Sequence, residues 1–115
     1  MVLRAGAGVT ALDSAFSALA DPTRRKVLTL LAQHDQRAGE LARRLKLPAP
    51  AMSKHLKVLR DCRLVVMGTD AADARAIVYR LRRDGFREAS GWLEGIERFW
   101  HDQLGGFRAY AERKR

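Results

Sequence analysis

Cysteine occurs once in this 115-residue chain, at Cys62, so no internal disulfide can form and a reducing compartment is the natural setting. No apolar run approaches the roughly 18–20 residues that span a bilayer. Residues 1–8 are too short and too interrupted by glycine for a secretory signal, and a flexible tail is expected there. These absences together predict a cytoplasmic protein. Internal repeats, low-complexity tracts and linkers are also missing, so residues 9–115 should form one domain. There is no Gly-rich phosphate loop and no clustered carboxylate pair. Ser53 and His55 are two apart, so on a helix they point to different sides and cannot pair as nucleophile and base. An enzyme is not expected, and neither is a cofactor.

What the chain has is positive charge, and it is concentrated. Of the formal +9, residues 22–63 carry +8, with 11 Lys/Arg against 3 Asp/Glu. The rest of the chain carries +1. Charge packed into 42 residues is the footprint of a module that neutralises phosphates.

Apolar residues recur at helical spacing through the same region. A first helix is expected over about 9–20, with Leu12, Phe16 and Leu19 on one face. Asp21-Pro22 restarts the chain, Asp as an N-cap acceptor and Pro at the first helical position. The second helix turns Val27, Leu28, Leu30 and Leu31 inward, and His34 to Gln36 form a polar turn. A short third helix, Ala38 to Leu45, is broken by Lys46-Leu47-Pro48. A fourth, from about Pro50 to Asp61, buries Met52, Leu56 and Leu59 and carries Lys54, Lys57 and Arg60 elsewhere. Two short helices joined tightly, the second with a basic face, form a helix-turn-helix over 37–62.

Beyond Arg63 the period changes. Leu64 to Met67 and Ala76 to Tyr79 are β-prone runs around a small, polar tip, which predicts a hairpin over 64–81. From about Asp84 to residue 115, Leu93, Ile96, Trp100, Leu104, Phe107 and Ala111 return to steps of three and four. Gly105-Gly106 should weaken that last helix and bend it. The fold class is mostly α with a small β-hairpin, in the order α-α-α-α-β-β-α.

At this point the residues resemble a known family. Phe16 to Arg25, Leu41-Ala42 through Leu47, and the run from Pro50 to Arg60 are similar to the ArsR/SmtB winged-helix repressors, and the hairpin falls where they have a wing. The resemblance covers residues 12–82, and the Trp92-Leu93 and Phe99-Trp100 pairs are similar to a metal-independent branch. It implies a homodimer through the first and last helices, with Leu12, Phe16, Leu93, Ile96, Trp100, Leu104 and Phe107 in the seam. It also implies double-stranded operator DNA as partner, often upstream of the protein's own gene, released when an effector arrives.

The fourth helix supplies suitable chemistry independently. Ser53 can approach a phosphate or base edge, Lys54 and Lys57 carry charge, and His55 can donate to phosphate or a purine. Arg43, Arg44 and Lys46 add backbone contacts. Pro48 and Ala49 stand where the family commonly has Ser and Gln, so a cap and a base-reading amide are missing. Ala49 and Ala51 then present only small groups at the DNA-facing positions. The tip carries Asp70 and Asp73 where basic residues are frequent, which leaves Arg75 as the wing's contact. Arg63 stands where the family has glycine, at a position that favours left-handed backbone.

The signal is less legible. Residues 37–45 hold no cysteine, and the adjacent His101-Asp102 diverge by about 100° around a helix, so a dedicated metal site is not expected. Cys62 is a possible redox thiol, though a small packed side chain is the simpler account. Trp92, Phe99, Trp100, Phe107 and Tyr110 could line an effector pocket, with core or dimer seam as the plainer alternative. A winged helix serving protein–protein interaction, or RNA, also stays open.

Overall fold

The computed structural model describes residues 10–113; the tail expected at 1–8 lies outside them. Four helices, a two-stranded hairpin and a long final helix follow in the expected order: α1 Ala11–Leu19, α2 Pro22–Gln33, α3 Ala38–Leu45, α4 Ala49–Asp61, β1 Val65–Thr69, β2 Ile77–Leu81 and α5 Arg87–Arg113. A 3-10 turn, Arg83–Phe86, which the sequence pattern does not signal, separates β2 from α5.

Each start and stop has a local cause. Thr10 and Asp13 form a reciprocal capping box at the head of α1. Pro22 opens α2 at the first helical position. Asp21 occupies the N-cap, but its side chain makes no capping bond, contrary to the expected acceptor role. Arg24 and Arg25 instead reach back to the end of α1, where Arg24 donates to Ala18 O (2.8 Å) and Ser17 O (3.2 Å) and Arg25 to Leu19 O (2.6 Å). They satisfy carbonyls that a helix end leaves open.

Both helices of the central motif end in left-handed residues that are not glycine. Lys46 has φ 55° and Arg63 φ 62°. After α4, Leu64 N donates to Leu59 O (2.9 Å) and Arg63 N to Arg60 O (3.0 Å), with Leu59 and Leu64 both fully buried. This is the paired-bond C-terminal motif that glycine usually completes. Arginine occupies the strained position expected for Arg63.

The core gathers one face from each helix and the start of the wing: Ala15, Ala18, Val27, Leu28, Leu31, Leu41, Met52, Leu56, Leu59, Leu64 and Val65. β1 and β2 pair antiparallel from Val65 opposite Leu81 to Thr69 opposite Ile77. The turn between α2 and α3 is more than a turn. Gln36 is buried, exchanges backbone hydrogen bonds with Tyr79 of β2 and donates through Nε2 to Leu30 O (2.7 Å). It fastens the hairpin to the helical body.

α5 is the exception to compactness. Of its residues only Ala89 is buried. Its first turns pack on α1, where the Trp92 and Phe16 rings lie edge to face at 5.7 Å between ring centres. The helix runs unbroken through Gly105 and Gly106, so the weakening expected there does not interrupt it. No helix among the described residues is long and apolar enough to cross a membrane.

Candidate nucleic-acid interface

α4 divides cleanly. Met52, Leu56 and Leu59 hold it to the core, and Pro48, Ala49, Pro50, Ser53, Lys54, Lys57 and Arg60 are exposed. Ala51 is half-buried beside them. Because Pro48 is the N-cap, no side chain caps the helix. Its first turn therefore faces outward with small side chains and a positive dipole end.

The cations around α4 are not equivalent. Lys57 pairs with Asp61 at 3.0 Å and Arg44 with Glu40 at 3.2 Å, each one turn away. Such exposed pairs are weak and yield readily to a phosphate. Arg60 lies against the Met67 sulfur of the wing. Lys54, Arg43 and Lys46 are exposed and frame the exposed side of the motif.

His55 departs from the expectation. It does not stand out with Ser53 and Lys54; its side chain is 25% exposed and its Nδ1 lies 3.4 Å from Asp21 Oδ2. The reason is helical phase. Position 55 falls between the buried 52 and 56 and the exposed 53 and 54, at the edge where α4 meets the start of α2.

The acids of the wing tip are occupied. Asp70 accepts from Arg37 through Nη2 (2.8 Å) and Nε (3.1 Å), and from Ala72 N (2.8 Å). The Ala72 N–H first, then Arg37, hold its carboxyl below the ordinary aspartate value. Asp73 accepts from Arg75 N (3.0 Å) and lies 3.6 Å from the Arg75 guanidinium. These aspartates shape the tip and tie it to the head of α3. The sequence carries a signal for this, since an Asp in a loop of small residues readily accepts from the N–H two residues on and forms a turn. Arg75 is almost fully exposed. A second tie, Arg80 to Asp35 at 2.8 Å, holds the base of the wing.

The expected dimer residues lie on the outside of this chain. Leu12 and Phe16 are partly covered by the core, whereas Leu93, Ile96, Trp100, Leu104 and Phe107 range from 40% to 72% exposed. Together they make a continuous apolar stripe along α5. Cys62 sits at the end of α4, half-buried, its thiol pushed up by burial, with Arg24 opposing and Asp61 adding to the shift. A raised thiol holds less thiolate, the reactive form. Among the described residues, no three His, Cys, Asp or Glu side chains are placed to hold a metal ion.

Comparison with known proteins gives the family of the chain. Residues 21–66 match the family described as bacterial regulatory protein, arsR family. The chain is 40% identical over 95 residues to the HTH-type transcriptional regulator Rv2034 of Mycobacterium tuberculosis, covering 83% of each. It is 30% identical over 82 residues to the transcriptional repressor SdpR of Bacillus subtilis, covering 71% of this chain and 88% of that one. Among solved structures, an ArsR-like transcriptional regulator from Rhodococcus sp. RHA1 superposes with a TM-score of 0.70 at 36% identity, over 88% of this chain and 92% of that one.

Proposed function

The chain belongs to the arsR family of bacterial regulatory proteins, and from that premise we propose that this transcriptional regulator is a homodimeric repressor that reads an operator with α4. Its relatives are regulators of transcription and not enzymes. One observation carries the proposal: α4 presents an uncapped first turn, Ser53 and Lys54 outward beside the exposed Arg43 and Lys46, while its other side is locked into the core.

Such a surface suits the major groove. The small Ala49 and Ala51 let the helix approach closely, and the first turn can meet a phosphate. Ser53 is the shortest polar group at the centre and is assigned to base edges. Lys54, Lys57, Arg43, Arg44 and Lys46 are assigned to phosphates, with Arg75 reaching the flanking backbone from the wing. The apolar stripe of α5, joined by Leu12 and Phe16, forms the seam with a second copy. Exposed apolar area of this extent marks an interface, and a two-fold pair of α4 helices would read a palindromic site. Control of its own operon and release on a non-metal signal belong to this proposal. The raised Cys62 thiol does not favour a redox trigger.

Fluorescence anisotropy tests it. The operator candidate is the duplex upstream of the protein's own gene, run beside an unrelated duplex at two salt concentrations. Tighter, salt-weakened binding to the first, reduced by Ser53→Ala and Lys54→Ala, is the expected result. Equal binding to both duplexes would reduce α4 to a generic basic surface.

A further inference from the structure

Asp21 and His55 are 34 positions apart and meet where three helices converge. Asp21 Oδ2 is buried and forms no hydrogen bond. The nitrogen-bearing groups near it are His55 Nδ1 at 3.4 Å and the Arg24 guanidinium, through Nη1, at 3.7 Å. A buried carboxylate oxygen without a partner is costly, so these two contacts are what justify its position. Arg24 is already committed to the carbonyls of Ala18 and Ser17 at the end of α1. The result is a chain of polar contacts from α1 through Arg24 and Asp21 to His55 on α4.

From this geometry we infer that His55 is a positioning residue for operator recognition, acting through Asp21 to fix the rotation of α4, and not a DNA contact. The inference rests on α4 being the reader. Hydrogen bonds to base edges weaken once distance and angle leave their preferred range, whereas phosphate attraction is longer-ranged and more tolerant. A helix free to roll by about 10–20° would keep its affinity for any duplex and lose its preference for one. The same contacts join the reader to α1, so the setting of α4 is coupled to the helix at the proposed dimer seam.

Two pairs of variants separate positioning from contact. Asparagine places its amide near the His55 Nδ1 position, and glutamine places it near Nε2. His55→Asn should therefore keep operator preference, while His55→Gln should lose it, by about tenfold in relative affinity. Asp21→Asn removes a negative charge, which by charge alone should tighten binding to every duplex. Positioning predicts the opposite for the operator alone: weaker binding there, affinity for unrelated DNA that is not reduced, and an unchanged salt slope. The Asp21→Asn/His55→Gln double variant should be no worse than the poorer single one. Anisotropy with both duplexes over a salt series reads all of this, with circular dichroism confirming each fold.

The inference is overturned if His55→Gln outperforms His55→Asn, if the salt slope drops by about one in His55→Gln, or if Asp21→Asn tightens operator binding. Should Asp21→Asn fail to fold, the asparagine–glutamine order still decides. A wild-type protein without operator preference would sink the reader assignment and this inference together; preference in the wild type with any of the three results above sinks only this one.

Discussion

Replacing Gly85 by alanine should cost this fold far more than its modest size suggests. Gly85 lies in the 3-10 turn, and a Cβ there would overlap the carbonyl oxygen of Arg63, come within 2.9 Å of its carbonyl carbon and within 3.3 Å of Leu64 Cα. All three atoms are backbone, so no rotamer change relieves the overlap. The turn would have to lift from the end of α4, straining Arg82 N to Leu64 O (2.9 Å) and Gly85 N to Arg82 O (3.1 Å). Overpacking costs roughly 1–3 kcal/mol and each weakened hydrogen bond up to about 1 kcal/mol. A loss of about 2–4 kcal/mol lowers the melting temperature by roughly 10–20 °C in a domain of this size. Gly91→Ala is the control. Its Cβ would meet nothing within 4 Å, and α5 gains about 0.8–1 kcal/mol of helix propensity. Melting curves by circular dichroism, at matched chain concentration, should shift in opposite directions for the same added methyl group. A Gly85→Ala protein melting within 3 °C of wild type, or moving with Gly91→Ala, would refute the reasoning.

Other consequences follow from single features. Ile96→Glu places a charge in the exposed stripe of α5 and should give a monomer by analytical ultracentrifugation; a dimer of unchanged affinity would remove that stripe from the seam. Asp70 has a folded-state value below its unfolded one, so its contribution is full above about pH 4 and is lost as pH falls through the lower folded value. Carboxyl NMR should show Asp70 titrating below ordinary aspartate, and Arg37→Ala should return it upward. Cys62, raised by burial, should react with a disulfide reagent more slowly than free cysteine at pH 7, and Cys62→Ser should bind DNA like wild type. Faster reaction, or DNA binding abolished in Cys62→Ser, would revive the thiol as a trigger.

The helices were readable because their evidence is local. Leu28, Leu31, Leu41, Met52, Leu56 and Leu59 carry the period, and Pro22 and Pro48 carry the boundaries. The wing was readable from the change of period after Arg63 and the polar tip. What sequence did not reveal were contacts between distant positions. Gln36 pairs with Tyr79 as a single bridge, too short to show alternation. Asp70 reads as repulsion to phosphate until Arg37, 33 residues earlier, is seen to neutralise it. In the sequence His55 is one more polar group on a basic helix, and only the packing of α2 against α4 brings Asp21 to it.

The length of α5 has a consequence for control. Its 27 residues extend about 40 Å at 1.5 Å per residue, and past Trp92 little of that length rests on its own subunit. A bare amphipathic helix is marginal in water, so in the dimer proposed above, order in the arm and association with a second chain become one equilibrium. Abundance then acts as an input in its own right. At low copy number both the arm and the paired readers are lost together, and occupancy of the operator rises with roughly the square of chain concentration rather than in proportion to it.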